Sequence, residues 1–142
     1  MRSNARRRRG AFTLMEVMLV LVIMVMLGSL AVGMFSKAQR KAQIDTAQSQ
    51  IGAFDSALNM YMLAMNDFPS TGSGLEALVS RPTDARNTSR WDGPYLDRVV
   101  PADPWDNPFQ YSYPGSRNPD KYDLWSFGPD GQDGTDDDIG NW

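Results

Sequence analysis

The sequence predicts an α+β fold: a long N-terminal helix, its first half long enough to cross a membrane, packed on a small C-terminal antiparallel sheet domain that ends in an acidic, glycine-rich loop. Three observations carry this prediction. Within residues 11–35 the only ionisable side chain is Glu16. From Ile44 onward, apolar residues recur at three-four spacing as far as Met65. Beyond Gly93 the pattern changes to short alternating runs separated by Pro, Gly and Asn.

At 142 residues there is room for one small core plus a long helix. The net charge of −3 hides an asymmetry, because Arg2 and Arg6, Arg7, Arg8 and Arg9 precede everything else. Residues 11–142 hold 9 basic groups against 17 acidic ones. That balance argues against nucleic-acid binding through the phosphate backbone. The absence of Cys and His removes disulfides, thiolate nucleophiles, Ser-His catalysis and nearly all zinc and haem sites.

Residues 1–11 read as a basic leader and residues 12–35 as the membrane half of the helix. Residues 12–31 are predominantly apolar, and twenty helical residues span roughly 30 Å, about one hydrocarbon core. The arginine block keeps the N-terminus cytoplasmic and places the chain outside from about residue 37. A cleaved secretory signal has a shorter apolar core and no acid within it. Glu16 at this depth costs up to a few kcal/mol unless it snorkels to the interface or meets a positive group from another subunit. A new α-amine, made by a cut before Ala11 or Phe12, is such a group.

The string Phe12-Thr13-Leu14-Met15-Glu16 behind an arginine-rich leader ending in Gly10 resembles the processing signal of type IV pilin-like proteins, which include the type II secretion pseudopilins. The resemblance implies cleavage by a prepilin peptidase, N-methylation of the new terminus, and a role for Glu16 in assembly. It sets the processing site at Gly10, Ala11 and Phe12. The inserted Ala11 leaves two cuts open: after Gly10, which makes Glu16 the sixth residue, or after Ala11, which makes it the fifth. Gly33 stands where the family usually has a helix-breaking proline.

Past Lys37, Arg40 and Lys41, residues 36–66 continue the helix outside the membrane. Ile44, Ala47, Ile51, Phe54, Leu58, Tyr61 and Met65 form one stripe, with Gln43, Asp45, Gln50, Asp55 and Asn59 mostly elsewhere. Pro69 ends the helix and disfavours helical geometry at Phe68. Residues 67–142 form the globular domain. Within it, residues 70–74 are a turn, 75–79 a short helix and 80–92 an exposed loop. Gly72, Gly74 and Ala77 match a relaxed dinucleotide fingerprint only by accident, since no strand precedes them. Short strands are expected at 94–96, 99–100, 109–113 and 122–127, with Trp105, Phe109, Tyr111, Tyr113, Tyr122 and Trp125 in the core.

The last stretch, residues 127–142, holds five carboxylates and four glycines, with Ile139 and Trp142 as hydrophobic anchors. A solvated tail has this composition. So does a loop of hard oxygen donors, which suits Ca²⁺ better than softer metals. The spacing is not that of an EF-hand.

Across most of residues 10–142, further motifs resemble the major-pseudopilin family of type II secretion systems. They are Phe68-Pro69, Gly74-Leu75-Glu76-Ala77-Leu78-Val79, Trp91-Asp92-Gly93-Pro94-Tyr95-Leu96, Asp103-Pro104-Trp105, Pro114-Gly115, Tyr122-Asp123-Leu124 and Asp137-Asp138-Ile139-Gly140-Asn141-Trp142. The resemblance implies one structural calcium ion, held by the backbone carbonyl of Phe127, the side chains of Asp130, Asp137 and Asp138, and an oxygen of Thr135. It implies a non-enzymatic, single-pass protein of the bacterial inner membrane with a periplasmic C-terminal domain. Such a protein assembles with itself, minor pseudopilins and an inner-membrane platform into a short helical fibre that drives folded proteins outward. A type IV or competence pilin for adhesion or DNA uptake is the alternative. Those pilins often carry a disulfide-bounded C-terminal region, which this chain lacks. A membrane-anchored hydrolase using the paired acids is disfavoured by the want of an activated nucleophile.

Overall fold

A computed structural model describes residues 12–86, 88–97 and 99–142, with the backbone alone at 30–33. The chain divides into two units, Met1–Arg40 and Lys41–Trp142.

Helix α1 (Leu14–Met65) starts with its own cap. Thr13 Oγ1 accepts the Glu16 backbone N–H at 3.2 Å, which satisfies one of the donors a helix start leaves free. Polar residues along α1 bond back to the preceding turn: Ser29 to the Met26 carbonyl, Thr46 to Ala42 and Ser56 to Gly52. The helix ends where Asn66 turns left-handed (φ 63°), its N–H still donating to the Met62 carbonyl at 2.7 Å.

Within the second unit the stripe reads as expected. Ala47, Ile51, Phe54, Leu58, Tyr61 and Met65 are buried, together with Leu75, Ala77, Leu78, Phe109, Tyr122, Leu124 and Ile139. Edge-to-face ring pairs Phe54–Phe109 (5.0 Å) and Phe68–Tyr122 (4.9 Å) tie the helix and its exit to the sheet.

The sheet has three antiparallel strands in the order β1-β2-β3: β1 (Gln110–Ser112), β2 (Asp123–Ser126) and β3 (Ile139–Gly140). Tyr111 pairs with Leu124, and Ser126 with Ile139. The stretch expected as an acidic loop therefore also supplies a strand. Residues 127–138 become a loop whose two ends the β2–β3 ladder holds together.

Three expectations fail. Residues 94–96 form no strand, because the Tyr95 and Leu96 N–H groups both donate to the Leu78 carbonyl at the end of a 3₁₀ turn, Gly74–Leu78. No strand forms at 99–100 either. Trp125 lies outside the core, since the period of two puts it on the face opposite Leu124. There it packs against Trp142, ring centres 6.2 Å apart, and donates from Nε1 to Asp133.

Candidate functional site

Two parts of the chain are candidates: the apolar half of α1 and the acidic loop. Gly10 and Ala11 of the expected processing site lie outside the described residues. Phe12 is 81% exposed, and every described side chain of α1 from Leu14 to Ser29 is exposed within the chain, Glu16 included. This helix is long and apolar enough to cross a membrane. Thr13 was not singled out from the sequence, although Thr13-Leu14-Met15-Glu16 has the spacing of a capping box. Its cap fixes the backbone of the turn that carries Glu16.

The acidic loop is organised by glycines. Gly128, Gly131 and Gly134 all adopt positive φ (68°, 66° and 80°), a region other residues enter at a cost. At Gly128 a Cβ would lie 2.3 Å from the Asp137 carbonyl oxygen, so only glycine allows this approach across the loop. The 3₁₀ turn Gly128–Asp130 follows directly.

The carboxylates are engaged to different degrees. Asp130 is exposed, and its Oδ1 accepts the Gln132 N–H at 3.0 Å. Asp138 Oδ2 accepts the Gly134 N–H at 2.9 Å, while its Oδ1 is buried without a hydrogen-bond partner. An orphaned buried carboxylate oxygen costs free energy that a cation would recover. Thr135 and Asp137 are half-buried in the same loop. Among the described residues no three Asp, Glu, His or Cys side chains converge as a metal cluster, so Asp130, Asp137 and Asp138 are not gathered together. Phe127, half-buried, leads from β2 into the loop. The donor set is all oxygen, and the unpartnered Asp138 Oδ1 fits a hard cation.

A nearby acid outside the expected set, Asp123, is saturated instead. Burial opposes ionisation of Asp123, yet the Arg117 and Asn118 N–H groups, with the hydroxyl and N–H of Ser116, outweigh it and lower its pKa. Asp123 thus pins the turn at 116–118. Arg117 in that turn stacks over the Trp142 ring at 3.9 Å. On the helix side, the Tyr122 hydroxyl donates to Asp55, and burial together with this bond raises the tyrosine's pKa.

The family described as type II secretion system (T2SS), protein G, matches residues 34–142. The type II secretion system core protein G of Aeromonas hydrophila is 47% identical over 138 residues, covering 96% of this chain and 94% of that protein. Its namesake in Pseudomonas aeruginosa is 41% identical over 140 residues, covering 96% and 97%. The crystal structure of the major pseudopilin from the type 2 secretion system of enterohaemorrhagic Escherichia coli superposes with a TM-score of 0.66 at 38% identity, covering 75% of this chain and 92% of that one.

Proposed function

The chain belongs to the type II secretion system protein G family, and on that premise we propose how its two halves serve a pseudopilus subunit. Its part in the secretion machinery is structural. The exposed apolar half of α1 anchors the subunit in the inner membrane as a single span, N-terminus cytoplasmic and domain periplasmic. A prepilin peptidase trims the leader after Gly10 or Ala11, and the new terminus is methylated. The subunit then joins its copies and minor pseudopilins, on an inner-membrane assembly platform, in a helical fibre that drives folded proteins outward.

The observation that carries this reading is the run of apolar side chains from Leu14 to Leu27, all exposed within the subunit. Such a surface needs lipid before assembly and neighbouring helices after it. Glu16 then neutralises a neighbour's terminal amine. Deleting the gene should abolish protein secretion and leave DNA uptake intact; loss of uptake with normal secretion would make the chain a competence pilin. Restoring the gene as Glu16→Ala should leave a stable, unassembled membrane subunit, and normal fibres from that variant would remove the pairing role.

We propose further that the acidic loop holds one calcium ion through the Phe127 carbonyl, Asp130, Thr135, Asp137 and Asp138. Bound calcium would supply the charge that offsets five carboxylates between residues 130 and 138. The residues' own contribution is backbone order: left-handed glycines fold the loop, and the β2–β3 ladder closes it. Without disulfides this loop is where a small domain gains an added constraint.

A further inference from the structure

Asp103 lies outside the acidic loop in sequence but is wired to it. Its N–H donates to the Asn107 carbonyl at 2.9 Å, and its Oδ1 accepts the N–H groups of Trp105 (3.0 Å) and Asn107 (2.8 Å). One carboxylate oxygen therefore closes the turn at 103–107. The other, Oδ2, accepts the hydroxyl of Ser126, and Ser126 Oγ in turn accepts the Gly128 N–H at 3.0 Å. Asp103 is 4% exposed and Ser126 not at all, so water does not compete for these bonds. The chain of bonds ends at the left-handed glycine whose missing Cβ leaves room for the Asp137 carbonyl. Its other end touches α1, where Gln50 Nε2 donates to the Ala102 carbonyl at 3.0 Å.

We propose that Asp103, acting through Ser126, is a positioning residue for the cation loop. It fixes the backbone at Phe127–Gly128, where one ligand carbonyl departs and Asp137 approaches. The proposal rests on the calcium reading above. Removing Ser126 Oγ frees the Gly128 N–H and strands Asp103 Oδ2, so the loop loses the register its ligands need while the sheet keeps its ladder.

The test is calcium titration calorimetry on the full chain in detergent micelles, with circular dichroism to establish that each variant is folded. Ser126→Ala, and Asp103→Asn as a second variant that keeps an acceptor for the two backbone donors, should each weaken calcium binding by about tenfold to a hundredfold, as loss of an outer partner does at other metal sites. Tyr122→Phe loses a buried bond from neighbouring Tyr122 to Asp55 and should leave the affinity unchanged. If the unaltered chain binds no calcium, the calcium reading itself falls and takes the proposal with it. If that chain binds and both variants bind equally well, the positioning role is wrong while the site stands. Equal weakening by Tyr122→Phe would also overturn the role, because the loss would then follow general stability.

Discussion

Within residues 14–29 every side chain of α1 is exposed in the subunit, whereas from Ala47 to Met65 the same helix buries a stripe against the domain it belongs to. The sequence chemistry differs accordingly. The first half is apolar all round, the signature of a helix whose solvent is lipid or other helices. The second alternates stripe and polar face, the signature of one packed on a single partner. One continuous element thus serves two environments, and mutations in its halves should have separable consequences.

The sharpest way to break that comparison is Phe54→Ala. Phe54 is 1% exposed and holds an edge contact to Phe109, so its loss should cost about 3–5 kcal/mol of domain stability. Thermal melting should fall by many degrees while membrane integration stays unchanged. Leu21→Arg in the first half should do the reverse. A central arginine costs about 2.5–3.5 kcal/mol of insertion, so carbonate extraction should release more of the chain with no change in the melting of the domain. If either mutation moved both readouts, the two halves would not be independent.

Calcium removal should come next in size. At a free concentration a hundredfold above Kd, a bound ion adds about 2.7 kcal/mol. A chelator should therefore lower the melting temperature of the domain, and Asp138→Ala should erase the difference between chelated and loaded samples. An unchanged melting curve with and without calcium would remove the site.

How much of this was legible beforehand depends on the range of the interaction that decides it. The stripe from Ile44 to Met65 was readable because a helix writes its period into neighbouring residues. Pro69 and the aromatic strand around Tyr111 were readable for the same local reason. Strand β3 was not: two residues carry no period, and Ile139 becomes a strand only by pairing with Ser126. Residues 94–96 looked like a strand until the Leu78 carbonyl claimed their donors. The loop's composition was visible, but the division of labour among its acids was not. Asp103 and Asp123 are ordinary turn residues in sequence, and only tertiary structure supplies the donors that saturate them. The cap at Thr13 is legible in its spacing to Glu16.

The smallest effect expected concerns that division. Asp123 has four hydrogen bonds to its two oxygens, whereas Asp138 has one oxygen with none. Because the folded-state pKa of Asp123 lies below its unfolded value, its ionised form favours folding. That contribution is complete above the ordinary aspartate range, about pH 4, and is lost as pH falls through the lowered pKa. Acid titration of melting temperature, run with chelator so that calcium plays no part, should therefore show a decline below about pH 4 that is shallower in Asp123→Asn. If Asp123→Asn kept the full slope instead, the four hydrogen bonds to Asp123 would not be what shapes the acid limb.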